Sequence, residues 1–267
     1  VSTFHNIYGH NNFLKKFYNK GLSKADKIIA ISNYVKQSII DIYNIKSSKI
    51  TVINRGVDTD FFKPTIENKD NYINFLSRFN ITSEKKIILF PGRLTSWKGQ
   101  IKFLDVIDKL KEKNFVCYFV GDDKNKSYSK KLIIEIKKKK LDSTCRILGN
   151  LTRDELKLMY HTSDLIISAP NKPEGFGRTI AESLSMKKIV LGFNFGGVKD
   201  QFEKLDEFFS VTPLNYKEME QKIAESLNFS QNKINKIVVN SRNHVINNYS
   251  KSLMLQKYYK FYNQVLK

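Results

Sequence analysis

Pro173-Glu174-Gly175-Phe176-Gly177-Arg178-Thr179-Ile180-Ala181-Glu182 joins a turn of small residues to the start of a helix and sets two carboxylates eight positions apart. Glycine at 175 and 177 opens backbone conformations closed to other residues and lets a ligand come close to the chain. The helix that follows begins with amide groups that have no partner inside it, an arrangement that favours an anion. Glu174 and Glu182 are acidic and do not suit the phosphate themselves; they suit hydroxyl groups, as acceptors. Hydroxyl acceptors beside phosphate donors outline a pocket for a nucleotide sugar.

Outward from this stretch the chain alternates. Apolar runs over 87–90, 115–120, 144–148, 165–168, 189–191 and 208–211 read as strands. Amphipathic patterns over 99–113, 128–140, 153–161 and 216–227 read as helices, with a short element near 198–202. Strands and helices in this rhythm build right-handed βαβ units, hence a parallel sheet with helices on both faces, a Rossmann-like domain. Upstream, strands are expected at 1–5, 25–31 and 49–53, with a helix over 11–22 and another from Ser32, a suitable N-cap, through Tyr43. Phe13, Leu14, Phe17, Tyr18 and Leu22 form the apolar face of the 11–22 helix, which core packing or an anionic membrane surface could occupy. The polar segment 60–84, with Pro64 and a short helix near 72–79, reads as a linker.

Three strands amount to half a Rossmann domain, so we expect part of the first domain to lie upstream of Val1, in a fragment or a processed chain. Helical patterns over 233–248 and 251–266 close the sequence, and Tyr258, Tyr259, Phe261 and Tyr262 read as a docking face. The expected division is a partial acceptor-side domain with linker at 1–82, a nucleotide-sugar domain at 83–245, and a terminal helix at 246–267 returning to the first domain.

The composition of the 267 residues, 41% hydrophobic and 27% charged, is that of a water-soluble globular chain. No run approaches the roughly 18 apolar residues of a membrane span, and residues 1–30 lack the order of a secretory signal. The net charge of +20 suits an anionic partner. Lysine, asparagine and isoleucine are abundant together, however, and an AT-rich codon bias produces that without selection for binding. Cys117 and Cys145 sit inside apolar runs as buried strand residues, in keeping with a reducing cytoplasm. No CxxC, HExxH or histidine cluster supports a metal site.

Phe90-Pro91-Gly92-Arg93-Leu94-Thr95-Ser96-Trp97-Lys98-Gly99 leaves the first strand of the second domain and enters its first helix. Arg93 offers a planar donor fork and Lys98 a mobile point charge, a division that suits a diphosphate. Two solvated surface cations in a lysine-rich protein are the plainer alternative. Neither GxxxxGK[ST] nor a GxGxxG following a strand is present.

Thr3-Phe4-His5, Ala25-Asp26 with Ala30-Ile31-Ser32, Val52-Ile53-Asn54-Arg55-Gly56-Val57-Asp58, Gly92-Arg93 with Lys98-Gly99, and Glu174-Gly175-Phe176-Gly177 with Glu182 occur in one order. In that order the chain resembles the retaining GT-B glycosyltransferases of the large group-1, family-4-like clan, which includes bacterial lipopolysaccharide, capsule and phosphatidylinositol mannosyl transferases. The resemblance implies an α/β fold of two Rossmann-like domains facing a cleft, the first of them truncated here. It implies sugar transfer from a UDP- or GDP-linked donor to a glycan or lipid-linked acceptor, with retention and without a metal, in cell-surface polysaccharide or lipopolysaccharide synthesis.

Carried over by residue, His5, Arg93, Lys98 and Glu174 would be catalytic. The donor would meet Gly92, Arg93, Lys98, the base-facing Ile147, Leu148 and Gly149, the Glu174-Gly175-Phe176-Gly177-Arg178-Thr179 turn, and Glu182 at the ribose. No cofactor beyond the nucleotide-sugar substrate and no nucleic acid is implied; the location is cytoplasmic, in peripheral contact with the anionic inner face of the membrane. Two departures stand out: a glycine-rich loop near the N-terminus is absent, and Asp200 stands where glutamate is common. A sugar-nucleotide epimerase of the same fold would share the pocket. A phosphorylase would need a pyridoxal lysine that no motif supports, and a non-catalytic basic module for nucleic acid or anionic lipid would lack a recognised motif.

Overall fold

The computed structural model describes residues 1–7, 13–123 and 126–266. The first part contains β1 (Ser2–Phe4), α1 (Phe13–Ser23), β2 (Ile28–Ala30), α2 (Asn33–Tyr43), β3 (Ile50–Val52) and α3 (Lys69–Arg78). The second runs β4 (Lys86–Pro91), α4 (Gln100–Leu110), β5 (Phe115–Val120), α5 (Ser127–Lys138), β6 (Cys145–Gly149), α6 (Arg153–Thr162), β7 (Leu165–Ser168), α7 (Arg178–Ser185), β8 (Ile189–Phe193), α8 (Lys199–Phe202), β9 (Ser210–Val211) and α9 (Tyr216–Ser226). Three helices close the chain, α10 (Gln231–Val238), α11 (Ser241–Tyr249) and α12 (Lys251–Val265). The 233–248 pattern is therefore two helices. The break expected at Gly9 and the helix start expected at 11–12 lie outside the described residues.

The two sheets are both parallel, one of three strands in the order β1-β2-β3 and one of six in the order β6-β5-β4-β7-β8-β9. Side chains alternate across a strand, which divides β2 between two layers. Ile28 and Ala30 join Val35 and Ile39 of α2 in the main core, while Ile29 turns to the other face and packs with Ile53 and Phe261 of α12. α2 starts where Ser32 Oγ accepts the Val35 amide at 3.1 Å. In the six-stranded sheet β4, β5 and β7 are buried along their length except Lys86, as strands covered by helices on both faces must be. Cys117 and Cys145 face each other across β5 and β6 as buried free thiols.

Of the two occupants open to the α1 apolar face, packing within this chain does not cover it. Leu14 and Phe17 are 75% and 71% exposed and Leu22 is also exposed. α1 touches β1 and α2 at the β1 edge of a three-stranded sheet, and among the described residues no further strand lies beyond β1 to floor that face.

Two crossings tie the sheets together. Val57 donates its amide to Tyr249 O at 2.7 Å and accepts from Lys251 N at 2.8 Å, so the outgoing and returning chains run side by side. The Arg242 guanidinium of α11 then donates to the carbonyls of Thr59, Phe62 and Ser185, each at 2.9 Å. No helix among the described residues is long and apolar enough to cross a membrane.

Candidate functional site

Strands β4, β5 and β6 step outward to one side, and the chain then returns to lay β7 on the other side of β4. The direction of winding reverses between β4 and β7, and in an open parallel sheet the crevice beyond the carboxyl ends at such a reversal receives ligands. The 92–99 loop leaves β4 at this point, and the 169–177 loop leaves β7.

The two loops meet through charge. Lys98 Nζ pairs with Glu174 Oε1, with both side chains largely withdrawn from water. Lys98 Nζ lies 4.8 Å and Arg93 Cζ 5.9 Å from the centre of the Trp97 ring, so one aromatic ring gathers both loop cations. Gly92 flanks the Lys98 stem, 3.5 Å from where its Cβ would stand. Gln100 Nε2 donates to Arg93 O at 3.0 Å and fixes the loop's path, leaving the Arg93 residue exposed. Gly99, with φ +88°, is obligatory: a Cβ there would fall 2.1 Å from Ala169 O of the partner loop.

Beyond Glu174 the wall is built by close backbone approach. Glu174 bridges Gly196 and accepts the Gly197 amide at 2.8 Å. Gly175 lies against His5 O, 2.4 Å from where its Cβ would be, which brings the end of β1 onto the wall. The His5 imidazole is exposed, and partial burial with the Arg55 guanidinium nearby lowers its pKa. Phe176 is buried edge-on against Tyr249. Gly177, at φ +85°, starts α7 with no side chain capping its first amides.

Glu182 lies one turn inside α7, 5% exposed. Arg178 Nη2 donates to its Oε1 at 2.9 Å, and Tyr160 Oη donates to its Oε2 at 3.0 Å. Burial raises the carboxyl's pKa, with Arg178 and Tyr160 opposing. The Arg178 side chain is 61% exposed, whereas Tyr160 is wholly buried. Thr179, the next residue of α7, is also buried.

The structure thus brings Gly92, Arg93, Lys98 and Glu174 together, sets Arg178, Thr179 and Glu182 one turn away, and places His5 backbone to backbone with Gly175. Ile147, Leu148 and Gly149 lie farther off, at the carboxyl end of β6, two strands from β4. They share the edge but touch none of the charged residues in the polar contacts above. Tyr160, Trp97, Gly196 and Gly197 belong to the candidate site without having been singled out as site residues. Trp97 is the chain's one tryptophan, a signal inside the loop already under scrutiny. Tyr160 carries none, because its partner is 22 residues away on another helix.

A cavity of about 630 Å3 lies at the opposite edge, around Lys86 at the amino end of β4. There Asp164 takes Lys86 Nζ at 2.9 Å and the Ile87 amide at 2.8 Å, so its central charges are already paired within the protein. Among the described residues no group of His, Cys, Asp and Glu side chains could hold a metal ion.

Residues 71–248 match the family of glycosyl transferases group 1, and residues 1–61 match glycosyltransferase family 4. The chain belongs to the group 1 glycosyltransferases, and its fold is GT-B. Among solved structures it is similar to a glycosyltransferase from Rickettsia africae ESF-5, with TM-score 0.89 and 36% identity over 99% of this chain and 70% of that one. It is also similar in fold to Anabaena HepE in complex with UDP and glucose, with TM-score 0.87 and 21% identity over 98% of this chain and 71% of that one. A curated relative is the trehalose synthase of Thermococcus litoralis, 27% identical over 211 residues, which are 75% of this chain and 49% of that protein. Another is the lipopolysaccharide 1,2-N-acetylglucosaminetransferase of Salmonella typhimurium, 24% identical over 87% of this chain and 58% of that protein. The chain spans about half the length of the curated relatives it matches.

Proposed function

We propose that the chain carries the donor half of a retaining glycosyltransferase that moves a sugar from a nucleoside-diphosphate sugar to a glycan or lipid-linked acceptor. The observation that carries this reading is the meeting of Lys98 with Glu174 at the winding reversal, beside the uncapped start of α7. Lys98 and Arg93 stabilise the charge that builds on the departing diphosphate, supported by the first amides of α7. Glu174 gives up Lys98 to the diphosphate and turns its carboxylate to the hydroxyls of the transferred sugar. Glu182, held by Tyr160 on one oxygen, exchanges the exposed Arg178 for the ribose hydroxyls on the other. His5 approaches the transferred sugar from the first domain, and Ile147 to Gly149 meet the base.

The Anabaena structure holds UDP and glucose, which supports a uridine-linked donor for this chain. Residues 1–82 then form the acceptor side with its linker, 83–245 the donor domain, and 246–267 the helix that returns to the first domain. Acceptors that are lipid-linked, a cytoplasmic setting at an anionic membrane face, and a place in polysaccharide or lipopolysaccharide synthesis complete the reading. The +20 charge and the exposed Leu14 and Phe17 support the membrane contact.

Calorimetry of the chain against UDP, GDP and their common sugars tests it, alongside Arg93→Ala and Glu182→Ala. We expect one nucleotide to bind the parent chain and to lose about tenfold or more in each variant. A folded parent chain that binds no nucleotide refutes the assignment.

A further inference from the structure

Asp200 stands on α8, in the second domain, yet its Oδ2 accepts the backbone amide of Asn33, the first residue of α2 in the first domain, at 3.1 Å. Asn33 N–H is one of the amides at a helix start that have no partner inside the helix. Ser32 caps the same turn by taking the Val35 amide, so the carboxylate from across the cleft completes the cap. A negative charge at this end of a helix is favoured by the helix dipole, and a charged acceptor makes the stronger hydrogen bond.

The other side of the contact is anchored to the donor wall. Tyr249 Oη donates to Asp200 O at 2.7 Å and holds its backbone. Three residues earlier Gly197 packs so tightly under Gly175 that a Cβ there would lie 2.2 Å from Gly175 O. The neighbouring Gln201 donates its side-chain amide to Phe176 O. Gly175 in turn meets His5 O from the first domain. The Asp200–Asn33 bond and the Gly175–His5 contact are thus two points at which the wall carrying Glu174 touches the first domain. Of the two, only the first has a charged group to hold it.

We infer that Asp200 is a positioning residue that latches the first domain against the wall carrying Glu174, setting the width of the cleft. Its effect on transfer rests on the glycosyltransferase reading above; its effect on cleft width does not.

The test measures distance. Spin labels go on Gln37→Cys in α2 and Lys102→Cys in α4, both exposed positions. Cys117 and Cys145 are buried, with the Cys145 thiol pushed up to about 12, and stay unlabelled. The parent chain is expected to give one narrow distance distribution. Asp200→Ala is expected to broaden and lengthen it, Asp200→Asn to lie between, and Asp200→Glu to restore it most closely, with unchanged circular dichroism in all three.

In transfer assays Asp200→Ala is expected to lower kcat about tenfold while the Kd for UDP stays within about twofold, because the donor wall lies in the second domain. Identical distance distributions for the parent chain and Asp200→Ala overturn the latch. So does a loss confined to UDP affinity, which would make Asp200 part of the donor site instead. If the parent chain binds no nucleotide, the glycosyltransferase reading fails, and the distance measurement still decides the latch.

Discussion

Replacing Tyr160 by phenylalanine removes one oxygen atom and little else. The ring is fully buried, edge-on to Phe62, and its hydroxyl donates to Glu182 Oε2 at 3.0 Å. The volume change is small, so the cost comes from the hydrogen bond to a carboxylate that is 5% exposed. Losing such a bond to a charged group costs about 1.5–3 kcal/mol, or a fall in Tm of about 4–8 °C in a chain of this size.

The pH dependence separates this cause from general loosening. Burial already holds the Glu182 carboxyl above its ordinary value, and without the hydroxyl it rises further. A group raised in the folded state contributes stability that is complete below its unfolded value and is lost as pH rises through the folded value. The variant therefore costs least near pH ~5, where Glu182 is more protonated, and most near pH ~8, where its charge goes unsupported. Urea denaturation of both proteins at the two pH values measures the difference, and calorimetry with the bound nucleotide is expected to show about tenfold weaker affinity at the higher pH. A cost that is equal at both pH values, or absent, refutes the assignment of Tyr160 as the holder of Glu182.

Lys98→Ala leaves Glu174 withdrawn from water without its partner, and we expect about 3 kcal/mol of lost stability by urea denaturation; the double change Lys98→Met with Glu174→Gln should cost less than Lys98→Ala alone. Gly121→Ala would set a Cβ 2.0 Å from Gly92 O, so we expect about 2–4 kcal/mol of destabilisation together with weakened nucleotide binding, because the displaced backbone carries Arg93. Lys188 is half-buried with its Nζ donating to His161 O, and burial lowers its pKa to about 8. A group depressed in the folded state contributes stability above its unfolded value that is lost as pH falls through the folded one, so Lys188→Met should stabilise the protein by about 1 kcal/mol at neutral pH, with the gain gone by about pH 10 in denaturation curves.

Much of this site was legible in the chain before folding, because the features that mark it are local. The Glu174 to Glu182 spacing, the glycines at 175 and 177, and the cations between Gly92 and Gly99 each belong to one loop and one helix start, where residue type and backbone freedom act over a few positions. The strand and helix rhythm was legible for the same reason: a buried parallel strand reads as an apolar run whatever lies beside it. What the pattern left open was which neighbour covers a face and which partner a side chain finds. The apolar stripe of α1 is real in the pattern, yet Leu14 and Phe17 stand exposed, since a helix's period names its apolar side and not what covers it.

Only the tertiary structure decided the order of the strands. Placing β7 beside β4 puts Glu174 against Lys98, 76 positions away, and makes one charged corner of two loops that are separate in sequence. The same packing turns Tyr160 from a residue in an amphipathic helix into the support of Glu182, and Asp200 from a turn carboxylate into a bond across the cleft to Asn33. The physical reason is common to all three. Hydrogen bonds and ion pairs depend on distance and direction in space, and over separations of 22 to 167 residues only the packed fold sets them.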